Sequence, residues 1–154
     1  MALTRDFTVA VFVIVGAPPR LLLHPHPKLG LMLPPGGHIE PNELPDEAAV
    51  RETLEETGLD VTLIGERAPG FEANAGLPLQ LVRPRGIQLE TIGPDHEHID
   101  LVYFATPSAS SGAPLEALEP FSWYALEEVL SDARFDEEVR AWARLACEEF
   151  AASP

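Results

Sequence analysis

Short, dense runs of Val, Ile, Leu and Phe alternate along this chain with two stretches of helical spacing. Phe7 to Gly16 (FTVAVFVIVG) is such a run and predicts a buried strand. Arg20 to His24 is its expected hairpin partner, with Gly16, Ala17, Pro18 and Pro19 supplying the turn. Leu31 to Leu33 predicts a further short strand. Pro34, Pro35, Gly36 and Gly37 halt it and are expected neither to continue a ladder nor to start a helix. Strands follow at Val61 to Ile64, with a reach toward Arg67, at Ile87 to Ile92 and at Ile99 to Ala105, and Trp123 and Tyr124 close the last. The segment from Pro69 to His98 otherwise reads as a long loop, and such loops usually carry function or flexibility. Pro107 to Pro114 predicts an exposed connection.

The sharper helix runs from Pro45 to Gly58. Pro45 suits the first helical position, Asp46 and Glu47 complement the helix dipole, and Gly58 supplies a left-handed stop. Val50, Thr53, Leu54 and Thr57 are expected to point away from its glutamates. Near the C-terminus Phe135, Val139, Trp142, Ala146 and Phe150 recur at helical spacing after Asp136, Glu137 and Glu138. That pattern predicts an amphipathic helix with a solvated acidic back, and gives Cys147 a packing role. Strands interleaved with two main helices predict an α/β or α+β layered sandwich, as one domain over residues 1–154.

Composition narrows the function. With 154 residues, 45% of them hydrophobic, the chain can bury a core, which excludes a disordered acidic tail. No apolar run reaches membrane length, and Arg5 and Asp6 stand where a signal peptide would be apolar, so the expected location is the cytoplasm, with no membrane partner. Cys147 alone allows neither an internal disulfide nor a Cys-rich zinc module. The 25 acids against 10 bases, a net charge of -15, argue against duplex nucleic acid as a partner. Much of this charge is local: Glu40 to Asp60 holds eight acids and one base.

Within that segment Glu52, Glu55 and Glu56 share one helix face. Like charges at this spacing cost a few tenths of a kcal/mol, so helix stability alone does not favour them. A solvated acidic face is the plain reading. Carboxylates facing a turn of Pro35, Gly36 and Gly37 also make a seat for hard divalent cations, which prefer oxygen ligands. Cations there would let an acidic protein hold an anionic polyphosphate.

Gly37, Glu43, Arg51-Glu52, Glu55-Glu56 and Gly58-Leu59 stand at the spacing of the Nudix signature, and the chain resembles the MutT-like Nudix hydrolases. Thr53 departs from it, where the family prefers a bulky aliphatic residue. The resemblance implies an α/β/α sandwich with a mixed sheet, and hydrolysis of a nucleoside diphosphate linked to another moiety, with Mg2+ or Mn2+. By that analogy Glu52, Glu55, Glu56 and the Gly36 carbonyl hold the metals, with one of the glutamates activating water as the alternative. Arg51 would be structural, held by Glu43, although Glu47, four residues before it, is a competing partner. Family members often recruit one further carboxylate from a loop, for which Glu97 is the first candidate, ahead of Asp95 and Glu90.

Other signals are thinner. His96, His98 and Asp100 alternate into a strand and raise a separate zinc triad against the plain reading of solvated polar residues. Lys28, Arg83 and Arg85 are the candidate phosphate contacts. Phe71, Tyr103 and Trp123 could stack a base, but a core role is favoured. The expected substrate is a small nucleotide, an NTP or dNTP first, with ADP-ribose, nucleotide sugars and dinucleoside polyphosphates as alternatives. A non-catalytic nucleotide sensor and an isomerase are the rivals from other classes, and homodimerisation is left open.

Overall fold

A computed structural model of the chain describes residues 2–71, 76–108 and 116–153. The strands are β1 (Thr4–Val15), β2 (Arg20–Pro25), β3 (Met32–Leu33), β4 (Gly36–His38), β5 (Val61–Ile64), β6 (Gly86–Gly93), β7 (His96–Pro107) and β8 (Ser122–Ala125). The helices are α1 (Pro45–Thr57), α2 (Leu126–Ser131) and α3 (Glu137–Ala152). Residues 109–114 of the expected connection lie outside the described residues.

The long apolar run predicted a strand that could be buried, and β1 is one with both edges used. It runs parallel to β7 from the Thr4–His96 pair to the Val13–Ala105 pair. Its other edge takes β4 and then β2, both antiparallel. β6 and β5 pair antiparallel with the far edge of β7, while β2 carries β3 and β8. The result is a mixed sheet with the parallel β1–β7 pair at its centre.

Alternation along these strands sorts side chains onto two faces. Val9, Val11, Val13, Leu101 and Tyr103 pack in one buried cluster with Ala48 and Ala49 of α1. Phe12, Ile14, Val102 and Phe104 join Val139, Ala143 and Ala146 of α3 in another. Each large apolar side chain buried this way contributes roughly 1.5–3 kcal/mol. Helices thus cover both faces, the α/β/α sandwich that the resemblance implied.

Pro45 does open α1, and Gly58 caps it at φ 75° with its N–H on the Leu54 carbonyl. The buried stripe of α1 is Ala48, Ala49, Thr53 and Thr57, with Val50 packed beside it; of the face expected to point away from the glutamates only Leu54 is exposed. Small residues bring the helix close to the sheet. Thr53 is buried at the position where a bulky aliphatic was the norm, and its hydroxyl donates to the Ala49 carbonyl at 2.8 Å. Cys147 is buried on α3, as expected. Tyr103 is core, but Phe71 is 45% exposed, against the core role favoured for it.

Two other expectations are corrected. Gly36 and Gly37 do continue a ladder: they pair with Ala10 and Val9 in β4. Pro35 takes part too, since its carbonyl accepts from Val11 N–H at 2.9 Å. The long loop to His98 is also shorter than expected, because β6 and β7 form a hairpin turning at Pro94 and Asp95. The polar ends of both strands hid this, as an apolar run marks only the buried part of a strand. β5 stops at Ile64, short of Arg67.

Candidate active site

β4 and α1 bring the signature residues together. A Cβ on Gly36 would fall 2.2 Å from the Val9 carbonyl oxygen, so only glycine lets β4 lie this close to β1. A Cβ on Gly37 would fall 2.5 Å from the Glu52 carboxyl carbon, so the second glycine makes room for a helix glutamate. Glu56 reaches the same strand, accepting from Gly36 N–H at 3.3 Å.

Arg51 organises the other side of this cluster, and each of its five N–H donors has an acceptor. Nε donates to Glu43 Oε2 at 2.6 Å and Nη2 to Glu43 Oε1 at 2.9 Å. Nη1 serves Glu52 at 3.0 Å and Glu55 at 3.1 Å, and Nη2 also reaches the His38 carbonyl at 3.0 Å. Glu43, not Glu47, is thus the partner of Arg51. The Arg51 hydrogen bonds hold the Glu43 carboxyl below its usual range, and Glu43 in turn raises the guanidinium.

The three helix glutamates differ in setting. Glu55 is mostly exposed, at 61% of its side chain, whereas Glu52 keeps 16%. Glu56 is half-buried, and its carboxyl is pushed up to about 7. Burial is the main cause; the Gly36 N–H opposes it, and the charges of Glu52 and Glu55 add to it. Anionic oxygens crowded and partly dried in this way, against a backbone strand, match the donor chemistry of hard divalent cations.

Glu97 is a strand residue of β7, not a loop residue. Arg5 Nε donates to it at 2.7 Å from the neighbouring strand. By alternation with Leu101 it lies on the sheet face covered by α1. Glu90 lies on the opposite face, beside Asp100 and Glu138, and burial together with these charges pushes it up to about 8. Asp95 sits in the hairpin turn, where its carbonyl accepts from Thr4 N–H at 3.0 Å. A carboxylate region absent from the sequence reading is the segment holding Glu116 and Glu119. Leu118 N–H, between them, donates to the Thr57 carbonyl at 2.9 Å and so docks that segment on the C-terminal end of α1.

The candidate phosphate contacts are scattered. Arg83 pairs with Glu66 at 3.2 Å, and Arg85 pairs with Glu149 of α3. Lys28 lies in the turn after β2, where its N–H donates to His26 at 3.3 Å. No contact described in the structure brings these three to the helix glutamates. The zinc triad raised as the alternative for His96, His98 and Asp100 does not form, because Asp100 is buried and accepts from Thr8 at 2.8 Å and Gln88 at 3.3 Å. His98 and His96 gather instead with Asp6 and His38.

Comparison with known proteins agrees with this architecture. The family model of the NUDIX domain matches residues 5–145, and the chain belongs to that family. It is an enzyme of the pyrophosphohydrolase class. The crystal structure of a NUDIX-family hydrolase from Clostridium perfringens is 35% identical, with a TM-score of 0.78 over 96% of this chain and 99% of that one. A MutT protein from Methanosarcina mazei Go1 shares the fold at 20% identity and a TM-score of 0.64, covering 97% of this chain and 98% of its own. An Ap4A hydrolase from C. elegans does so at 16% identity and 0.65, over 98% and 100%. No curated protein matches the chain by sequence. Among the described residues no helix is long and apolar enough to cross a membrane.

Proposed function

We propose that this chain is a Mg2+- or Mn2+-dependent pyrophosphohydrolase of a nucleoside di- or triphosphate-linked substrate, in which Glu52, Glu55, Glu56 and the Gly36 carbonyl hold the ions. One observation carries the reading: Glu56 is half-buried among like charges, with a single long bond from Gly36 N–H to offset them. A cluster kept for helix stability would not take that form. When bound, divalent cations supply charge neutralisation at the phosphates and a more acidic water.

The chain's own residues do the rest. Arg51 holds Glu52 and Glu55 in place from behind, and Glu43 holds Arg51. Gly37 leaves Glu52 its position against β4. Burial and the charges of Glu52 and Glu55 raise the Glu56 carboxyl in the metal-free chain, and a bound cation would offset that cost. Glu97 is assigned the fourth carboxylate, oriented by Arg5.

An NTP or dNTP is the first substrate class to test. Structural neighbours include a MutT protein, an Ap4A hydrolase and a UDP-X diphosphatase, so nucleotide sugars, ADP-ribose and dinucleoside polyphosphates belong in the same screen. Phosphate release over that set, with Mg2+ or Mn2+, should show turnover that Glu56→Gln lowers by orders of magnitude without loss of fold. Equal turnover by the variant would remove Glu56 from the metal site. Nucleotide binding without turnover by the wild type would make the chain a sensor.

A further inference from the structure

On the sheet face opposite α1, the ends of β1, β4 and β7 bring Asp6, His38, His96 and His98 to one point. Asp6, His38 and His98 each offer a ligand atom, all within 4.8 Å of one another. Asp6 Oδ2 lies 3.2 Å from His38 Nε2 and 3.4 Å from His96 Nε2. Donors bound about 2.0–2.1 Å from a tetrahedral ion stand about 3.3 Å apart, so these separations are those of a closed coordination edge. The His38 and His96 rings each meet His98 edge-on, at centroid separations of 5.2 and 5.0 Å, as rings pointing at a common centre do.

The hydrogen bonds around His96 suit the same arrangement. Thr4 Oγ1 lies 3.2 Å from the Asp95 carbonyl oxygen and 2.8 Å from His96 Nδ1. The other ring nitrogen of His96, Nε2, faces the Asp6 carboxylate. An imidazole with one nitrogen against an outer oxygen and the other pointing into a ligand cluster is placed as a metal-bound histidine is.

We propose that Asp6, His38, His96 and His98 form a second metal site, selective for a transition ion of the Zn2+ class. Three imidazoles and one carboxylate suit such an ion, whereas Mg2+ prefers an all-oxygen set. The site differs from the helix glutamates in face and in chemistry. It would staple β4 to β1 and β7 at His38, whose carbonyl accepts from Arg51, and so would steady the strand on which Glu52 and Glu56 converge.

Zn2+ and Co2+ are the probes, added to the full chain in excess Mg2+ and followed by retained metal and by the visible band of tetrahedral Co2+. One ion per chain should be retained by the wild type and by Glu56→Gln. Asp6→Asn and His98→Ala should weaken binding on the order of 100-fold or more, and Thr4→Val by about 10–100-fold. Zn2+ should also raise the melting midpoint of the wild type but not of His98→Ala. His38→Gln, at a side chain that is 61% exposed, provides a folded variant if His98→Ala does not fold. No ion retained by the wild type would overturn the site, since the cluster would then be held by contacts between the histidines and Asp6 alone. So would retention equal in all variants, or loss in Glu56→Gln alone.

Discussion

The Arg51 guanidinium meets the Glu43 carboxylate side-on, through Nε at 2.6 Å and Nη2 at 2.9 Å, and spends its remaining donors on Glu52, Glu55 and the His38 carbonyl. One planar fork therefore ties the segment before α1, the strand β4 and two helix glutamates together. A lysine has the charge but not the fork. Arg51→Lys should lower stability by about 1–3 kcal/mol and reduce turnover, because Glu52 and Glu55 lose their support. Glu47→Gln should stay within about 0.5 kcal/mol of wild type. Urea unfolding of both variants checks this, and a large loss in Glu47→Gln would restore Glu47 as the partner.

Gly36 and Gly37 should fail in different ways. An alanine Cβ at Gly36 meets the backbone of β1, which cannot move without breaking the ladder. Gly36→Ala should therefore destabilise the fold by about 1–3 kcal/mol or more. At Gly37 the obstacle is the end of the Glu52 side chain, which can swing aside. Gly37→Ala should keep most of its stability and lose on the order of 100-fold in kcat, since a displaced ligand of about 1 Å costs that much. Thermal melts set beside steady-state rates for the two variants would show the split, and equal stability losses would remove it.

Helix α1 was legible in the sequence because its signals are local: Pro45 at its start, Gly58 at its end and three glutamates at fixed spacing. The parallel β1–β7 pair was not, since nothing within either run reports a partner about ninety residues away. Strand β4 is hidden in the sequence for a related reason. Gly36 and Gly37 look like loop residues until the Val9 carbonyl and the Glu52 carboxylate, each distant in sequence, are seen to need the space. The Asp6–His38–His98 cluster was half visible: the alternation of His96 and His98 is written in the chain, but their carboxylate comes from β1. Asp100, the neighbour in sequence, is taken by Thr8 and Gln88 instead.

The fourth carboxylate can be located by rate. If Glu97 touches the reacting water, Glu97→Gln should lower kcat by about 10²–10⁴-fold with little change in KM. Arg5→Gln should move the kcat pH profile, because Arg5 is the partner that orients Glu97. Glu119→Gln is the informative comparison, as its segment docks on the end of α1. A loss confined to Glu119→Gln would shift the role to that segment and leave Glu97 as half of a structural ion pair.

Glu90 should make stability depend on pH. Burial, with Asp100 and Glu138 close by, raises its carboxyl from 4.5 to about 8 in the folded chain. Below about 4.5 it is protonated in both the folded and unfolded states, and the stability it contributes is fully present. Between there and about 8 the unfolded chain has released a proton that the folded chain retains, so stability falls as pH rises through that window. Glu90→Gln keeps the neutral form at every pH. Its melting midpoint should match wild type near pH 4 and exceed it by a growing margin up to about pH 8, where the difference should level off. Melts of the two proteins across this range give the result directly, and curves that stay parallel would mean that Glu90 ionises in the folded chain as freely as in water.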